Sequence, residues 1–198
     1  MKRMLANKKI QADQKSAIAI APQKRPTNWY VITGGPGSGK TTVINLLKAR
    51  GYTTTIEHAR HYIDTQLVQG KTVEEVRQNQ QMFQKGVLEM QIRQEAALDP
   101  GEIVFLDRAI PDALAYYQFL HLKKDEPLQK ALEKASYKKV FVLDCLPLVN
   151  DYARREDEVA QKKIQELLLD VYSSLRFPIV RVPVLPPEER VNFILENI

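Results

Sequence analysis

Residues 34–41, Gly-Gly-Pro-Gly-Ser-Gly-Lys-Thr, decide the fold of this 198-residue chain. The apolar run Trp29–Thr33 before them is typical of a buried strand, and Lys40–Arg50 after them has the apolar spacing of a helix. This is the phosphate-binding (Walker A) pattern in the strand–loop–helix context that it requires. The glycines let consecutive backbone N–H groups face one anion, and the helix N-terminus adds partial positive charge. The stretch therefore predicts a site for a nucleoside triphosphate.

The residues of this loop have expected roles. Lys40 is expected to reach the β- and γ-phosphates, and the Thr41 hydroxyl to ligate Mg²⁺. The expected nucleotide-binding residues are Gly35, Pro36, Gly37, Ser38, Gly39, Lys40, Thr41 and Thr42. The sequence has no Asn-Lys-X-Asp motif that would recognise guanine, which favours ATP and leaves GTP open.

The rest of the chain alternates short β-rich runs with helical patterns, which predicts a parallel sheet covered by helices on both faces. The predicted strands are Trp29–Thr33, Thr53–Glu57, Ile103–Asp107, Val140–Asp144 and Ile179–Val184. The predicted helices include Lys40–Arg50, Thr72–Leu98, Asp157–Leu175 and Pro186–Asn197. We therefore predict a P-loop NTPase fold with three α/β/α layers and five parallel strands, spanning residues 28–198.

A phosphate loop works with a carboxylate at the end of another buried strand. Four apolar residues followed by Asp107 provide one, and we expect Asp107 to hold the metal ion, although a capping Asp is also common there. Arg108 follows immediately, and its guanidinium would neutralise charge that develops during phosphoryl transfer.

A carboxylate and an arginine mark the start of the helix after the second predicted strand. Glu57 would accept the proton of an attacking hydroxyl, and Arg60 would bind an acidic substrate. An exposed ion pair on a first helical turn explains the same two residues equally well. Asp107 is an alternative acceptor of the proton, so the identity of the base stays open.

Polar and aromatic side chains near these residues suggest an acceptor pocket. Asp112 and Tyr116, on the helix after the third strand, would hydrogen-bond to and stack on a ring-shaped acceptor, or they are ordinary core and surface residues. His58, His61 and Asp64 share one helix face, and we expect the imidazoles to line or flank the pocket rather than to hold a metal.

Two adjacent arginines lie in the charged segment 151–157, between the fourth strand and the following long helix. Arg154 and Arg155 would close over the triphosphate as a lid that excludes water. A solvated charge run is the other interpretation of this segment. We include both arginines among the expected catalytic residues.

The positive charge of the chain belongs to its N-terminal segment. Residues 1–27 contain seven basic side chains and one acidic one, a net charge of +6, whereas the whole chain is +5, which leaves −1 for the remainder. We therefore expect a flexible basic tail and no nucleic-acid-binding face on the domain. Targeting, or contact of the tail with acidic membrane lipids, stays open.

Composition limits the class of protein. The chain is 44% hydrophobic and 27% charged, and it has no apolar run of the roughly 18 residues needed to span a membrane. Its one cysteine, Cys145, excludes a disulfide framework and fits a reducing compartment. We expect a cytoplasmic protein.

The order of several segments is distinctive. They are Gly34–Thr42, IEHAR at 56–60, FLDRAIPDALAYY at 105–117, ARREDE at 153–158 and VPVLPPEERVNFIL at 182–195. Together they resemble the NadR/TRPL-translocation-defect type of AAA domain, over residues 28–197. The resemblance implies the build of nucleoside and nucleotide kinases, with the metal-binding strand beside the phosphate-loop strand. It also implies that Lys40, Thr41 and Asp107 bind Mg-NTP, that Arg154 and Arg155 belong to a lid, and that Val182–Pro186 passes near the base.

Branches of that family differ in activity. One phosphorylates the ribosyl hydroxyl of nicotinamide riboside, and another is described as a GTP-binding, phosphoinositide-binding regulator of membrane-protein trafficking. From residues and resemblance together we predict a Mg²⁺-dependent kinase that moves the γ-phosphoryl group of ATP to a hydroxyl of a small nucleoside-like or phosphorylated metabolite. The alternative is a switch that hydrolyses ATP or GTP and binds a partner or acidic lipids. The oligomeric state is left open.

Overall fold

The computed structural model describes residues 25–147 and 157–198. Arg154, Arg155 and most of the predicted tail lie outside these residues. Within them, one parallel sheet contains β1 (Trp29–Thr33), β2 (Thr53–Thr54), β3 (Val104–Asp107), β4 (Lys139–Leu143) and β5 (Ile179–Val182). The strand order is β2-β3-β1-β4-β5, so the strand before the phosphate loop is central and the strand ending in Asp107 lies beside it.

Eight α-helices occur in the described ranges. They are α1 (Lys40–Ala49), α2 (His58–Val68), α3 (Val73–Gln78), α4 (Gln80–Ala97), α5 (Ile110–Phe119), α6 (Glu126–Lys134), α7 (Glu158–Ser174) and α8 (Pro187–Glu196). This arrangement confirms the predicted three-layer fold. No helix of this part of the chain combines the length and apolar character that crossing a membrane requires.

Alternating side chains of the strands form two cores, one on each face of the sheet. Tyr30 and Ile32 of β1 pack in one cluster with residues of α1 and α8, including Leu47 and Ile194. Trp29 and Val31 pack in the other cluster, to which α5, α6 and α7 contribute. Because both faces of the central strand are buried, its sequence is continuously apolar rather than alternating.

A smaller core lies among α2, α3 and α4. It consists of the buried side chains of Ile63, Val76 and Phe83 with partly buried neighbours. The helix predicted over Thr72–Leu98 is in fact two helices, broken at Asn79, where the backbone leaves the helical region at φ −106° and ψ 87°. The Asn79 side chain accepts a 3.0 Å hydrogen bond from Met82 N and so caps α4.

Other elements also differ from prediction: β4 is Lys139–Leu143 rather than Val140–Asp144, β5 ends at Val182 rather than Val184, and two elements differ more. β2 ends at Thr54 instead of Glu57, because the backbone pairing stops after Thr55 N, which donates to Phe105 O at 3.0 Å, and Asp107 N donates to the Thr55 side chain at 2.8 Å. Helix α6 was not predicted, although Asp125 caps it by accepting from Leu128 N and Pro127 lies in its first turn. Thr27, at the predicted boundary of the tail, donates a 2.7 Å hydrogen bond to Ser136 O.

Candidate nucleotide and acceptor site

The phosphate loop connects β1 to α1 at the carboxyl edge of the sheet. Lys40 is 3% exposed, and its Nζ donates hydrogen bonds to Gly34 O at 3.0 Å, Gly35 O at 2.9 Å and Ser38 Oγ at 3.2 Å. Thr41 and Thr42 follow in the first turn of α1 with exposed side chains. Two carbonyls and one hydroxyl of the loop therefore surround the Lys40 ammonium group, and Thr41 is exposed to solvent.

Three side chains that the sequence analysis missed hold this loop from a distance. Gln165 Oε1 accepts a 2.5 Å hydrogen bond from Gly35 N, and Gln161 Nε2 donates to Pro36 O at 2.7 Å. Both glutamines come from α7 and are one helical turn apart, so they face the loop together. Arg190 of α8 donates to Ser38 O at 2.6 Å. The sequence marked only one of them in advance: Arg190 lies in the segment 182–195, one of the segments that carry the family resemblance.

Asp107 ends β3 directly beside β1, in register with Ile32. It is 3% exposed, and among the described residues its Oδ1 atom has no hydrogen-bond partner. Burial raises the pKa of Asp107 above its ordinary value, and the negative charge of Glu57 adds to this, whereas Lys40 and Arg108 oppose it. A buried carboxylate oxygen without a partner fits a cation that completes its bonding, such as Mg²⁺ with its water shell.

Asp107 is a single candidate metal ligand and not part of a cluster of acidic or histidine ligands in the described part of the chain. In the described ranges, no group of three or more His, Cys, Asp or Glu side chains is arranged to hold a metal ion. His58 is 4% exposed, and its Nε2 lies 2.7 Å from Gln94 Oε1. Burial lowers the pKa of His58, so the ring is neutral at neutral pH.

Arg108 has an unusual backbone. Its φ of 66° lies in the left-handed region, which costs a non-glycine residue about 1 kcal/mol or more. Arg108 N donates to Ile32 O at 3.0 Å, and the guanidinium lies 5.3 Å from the ring centre of Tyr116. Nη1 also donates to Asp112 Oδ1 at 2.9 Å. The guanidinium thus contacts two residues of α5.

Glu57 lies between two arginines. It is the N-cap residue of α2, with Oε2 at 3.7 Å from Arg60 Nε and Oε1 at 3.9 Å from Arg108 Nε. The Glu57 side chain is only 15% exposed, so the pair with Arg60 is not the exposed ion pair of the alternative interpretation. Both separations exceed hydrogen-bond length, so the two contacts are ion pairs without a direct hydrogen bond.

The predicted substrate residues line a cavity of about 360 Å³. Its lining includes Pro36 of the loop and the predicted residues Glu57, Arg60, Arg108, Asp112 and Tyr116. It also includes Arg77, Phe83, Gln84, Gln91 and Phe119, which the sequence did not single out. Arg77 belongs to α3, Phe83, Gln84 and Gln91 belong to α4, and Phe119 ends α5, so four of these contributions depend on which faces of α3 and α4 turn inward around the break at Asn79.

Comparison with known proteins identifies the family to which this chain belongs. The sequence profile described as AAA domain matches residues 29–190, most of the chain. The chain belongs to that family. Comparison with curated proteins finds no match.

Several solved structures share the fold of this AAA domain. A NadR protein in complex with NR has a TM-score of 0.59 at 17% identity, and the match covers 86% of this chain and 51% of that one. Deoxyadenosine kinase from M. mycoides with bound dCTP has a TM-score of 0.59 at 16% identity, over 85% and 97% of the two chains. Thymidylate kinase from Ehrlichia chaffeensis has a TM-score of 0.60 at 13% identity, over 87% and 98%. The chain spans about half the length of NadR.

These likenesses establish the fold of this AAA domain as that of P-loop nucleoside and nucleotide kinases. The expected position of β3 beside the phosphate-loop strand is confirmed. Residue roles in binding and catalysis remain predictions, and those of Arg154 and Arg155 concern residues outside the described ranges.

Proposed function

We propose that this AAA domain is a Mg²⁺-dependent phosphotransferase that moves the γ-phosphoryl group of ATP to a hydroxyl of a small nucleoside-like or phosphorylated metabolite. The observation that carries the proposal is the cavity. Its lining includes Pro36 of the phosphate loop together with Glu57 and Arg108. Simple hydrolysis needs space for a water molecule, whereas about 360 Å³ is in the range of small-molecule sites.

Catalysis of phosphoryl transfer consists mainly of positioning the reactants and neutralising charge, and different residues of the chain would perform these two tasks. Lys40 would bind the β- and γ-phosphates after exchanging its bonds to loop carbonyls for phosphate oxygens. Arg108 would stabilise charge on the transferring group from the acceptor side. Mg²⁺ held near Thr41 and Asp107 would neutralise phosphate charge when bound.

We assign the general base to Glu57 rather than to Asp107. Glu57 lines the cavity, where an acceptor hydroxyl would lie, whereas Asp107 does not line it and is 3% exposed. Arg60 and Arg108 lie on either side of the Glu57 carboxylate and would hold it in place to receive the proton of the acceptor hydroxyl.

The lining of the cavity favours an acceptor with a flat ring. Aromatic and aliphatic side chains, among them Phe83, Leu88 and Tyr116, provide surfaces for stacking and packing. The buried amides of Gln84 and Gln91 lie among them and would hydrogen-bond to ring substituents. The ligands named for the structural neighbours, NR and dCTP, also contain such rings. Nucleosides, nucleotides and pyridine ribosides are therefore the acceptors to test.

The test measures consumption of Mg-ATP and Mg-GTP alone and with each acceptor. We expect one acceptor class to stimulate turnover strongly, and Glu57→Gln to reduce that stimulated rate by about 10²-fold or more while nucleotide binding is kept. Glu102→Gln, an exposed carboxylate that bonds to Thr53, is the matched control and should not change the rate. Slow turnover that no acceptor stimulates would overturn the proposal and favour the nucleotide switch.

A further inference from the structure

A buried carboxylate, Asp112, collects four hydrogen bonds from separate parts of the site. It is 3% exposed. Its Oδ1 accepts from Thr33 Oγ1 at 2.6 Å and from Arg108 Nη1 at 2.9 Å, and its Oδ2 accepts from Ala109 N at 3.2 Å and from Tyr172 OH at 2.5 Å. Four donors account for the acceptor positions of both oxygens. Asp112 is therefore hydrogen-bonded within the protein, and its contact with a substrate stays a prediction from the sequence.

The donors to Asp112 connect the two halves of the site. Thr33 is the last residue of β1, immediately before the phosphate loop. Tyr172 belongs to α7, the helix whose Gln161 and Gln165 hold the same loop. Tyr172 and Thr33 are both fully buried, so neither bond is weakened by competing water. The third donor, Arg108, faces the cavity.

The Arg108 guanidinium depends on this carboxylate for its direction. Its other carboxylate neighbour, Glu57, is 3.9 Å away, which is too far for a hydrogen bond. The centre of the Tyr116 ring lies 5.3 Å from the guanidinium carbon, a cation–π contact that is less directional than a hydrogen bond. Gln91 Nε2 donates to Arg108 O at 3.3 Å and so restrains only the backbone. Asp112 is thus the closest described anchor for the guanidinium nitrogens.

We propose that Asp112 and Tyr172 are positioning residues that hold the Arg108 guanidinium in its place in the lining of the cavity. Tyr172 holds the Asp112 carboxylate in one rotamer, and Asp112 in turn holds the Arg108 guanidinium. The hydrogen bond from Thr33 fixes the position of the carboxylate relative to the phosphate loop. The proposal rests on the proposed kinase function for its catalytic consequence. It assigns neither Asp112 nor Tyr172 any contact with substrate.

The test removes one hydroxyl group at a time. Tyr172→Phe deletes the donor to Oδ2 and leaves the ring in place. Tyr117→Phe is the matched control, because Tyr117 is also fully buried and its hydroxyl also donates to a carboxylate, at 3.2 Å to Asp125, which does not line the cavity. Should Tyr172→Phe fail to fold, Thr33→Val, which removes the donor to Oδ1 with little change of shape, replaces it.

Two readouts separate positioning from general destabilisation. For Tyr172→Phe we expect kcat/KM for the acceptor to fall roughly tenfold, because a hydrogen bond to a charged group contributes about that factor, with the Kd of the nucleotide alone unchanged. We also expect the guanidinium protons of Arg108 to exchange faster with water in Tyr172→Phe than in the wild type. NMR measures this exchange, and the signals that disappear in Arg108→Lys identify the Arg108 protons. The Tyr117→Phe protein should match the wild type in both.

The outcomes distinguish the two proposals. Equal acceptor kinetics and equal Arg108 exchange in Tyr172→Phe and Tyr117→Phe would overturn the positioning role. Absence of acceptor-stimulated turnover in the wild type would overturn the kinase function, and the exchange of Arg108 would then still decide whether Tyr172 and Asp112 hold it.

Discussion

The guanidinium of Arg190 donates a 2.6 Å hydrogen bond to the backbone carbonyl of Ser38, which lies 152 positions earlier in the chain. The same guanidinium donates to Asp144 O at 3.1 Å and to Pro183 O at 3.0 Å, and Arg190 is only 2% exposed. One side chain of α8 thus joins the phosphate loop to the segments that follow β4 and β5. The shape of the loop depends on the far end of the sequence.

Replacing Arg190 should therefore affect both stability and nucleotide binding. Arg190→Met leaves the carbonyls of Ser38, Asp144 and Pro183 without this donor, and we expect the free energy of unfolding to fall by about 3 kcal/mol. Urea unfolding and titration with nucleotide measure the two effects. Arg50→Met is the control, since Arg50 bonds to Glu188 and Asn192 on the exposed side of α8 and should cost less than about 1 kcal/mol. Equal losses in the two variants would contradict this account of the loop.

Gly34 has no space for a side chain. A Cβ atom there would lie 2.7 Å from Leu143 O and 2.8 Å from Ser38 Oγ, and its φ is 148°. We expect Gly34→Ala to abolish nucleotide binding, because the loop must shift to relieve the contact with the backbone. Gly51→Ala is the comparison: its φ is 88° but nothing lies within 4 Å, so it should cost roughly 1 kcal/mol of stability and leave nucleotide affinity unchanged. Calorimetric titration with nucleotide checks both variants.

Asp107→Asn should lower the activity of the protein without lowering its stability. The substitution removes a buried negative charge whose Oδ1 atom has no described partner, so we expect the melting temperature to stay the same or rise. We expect Mg²⁺-dependent turnover to fall by roughly 10²-fold, since an amide is a weaker ligand for a hard cation. A Mg²⁺ titration of the rate, together with a melting curve, tests this. Unchanged turnover would show that Asp107 does not serve the metal.

Glu95 should make the stability of the fold depend on pH. Burial raises the pKa of Glu95 from 4.5 to about 7, and nearby Asp112 adds to this, whereas hydrogen bonds from Tyr137, Gln91 and Ile110 N oppose it. Between those pH values the folded protein keeps a proton that the unfolded chain has released. The stabilisation is therefore complete below about pH 4.5 and is lost as the pH rises through about 7.

Glu95→Gln removes this titration while keeping an oxygen that can accept from Tyr137 and Ile110. We expect the unfolding free energy of the wild type, relative to this variant, to fall by about 2 kcal/mol between pH 5 and pH 8. Urea unfolding at both pH values measures it. A constant difference between the two proteins would mean that the pKa of Glu95 is not raised.

Local patterns predicted the central part of the fold. The strand Trp29–Thr33 has the predicted bounds, and Asp107 lies at the end of the neighbouring strand as expected. These features are encoded in consecutive residues: a continuously apolar run, glycines where the backbone curls, and an acid where a buried strand ends. The same holds for the position of Glu57 at the start of α2.

Contacts between distant segments could not be predicted in this way. Gln161, Gln165 and Arg190 bond to backbone carbonyls or N–H groups of the loop, and every residue presents such groups, so no sequence spacing marks the partner. The break at Asn79 was hidden because apolar residues continue at helical spacing across it. The Asn79 side chain accepts from Met82 N and begins α4 as a separate helix, where periodicity alone predicts one continuous helix.

Transfer of a labelled phosphate tests the central claim most directly. The protein is incubated with Mg-ATP carrying a labelled γ-phosphoryl group, with and without each nucleoside, nucleotide or pyridine riboside, and the products are separated. The account predicts that label appears on one class of acceptor and that Lys40→Ala transfers none. Label found only in inorganic phosphate, at the same rate with and without every acceptor, would contradict it.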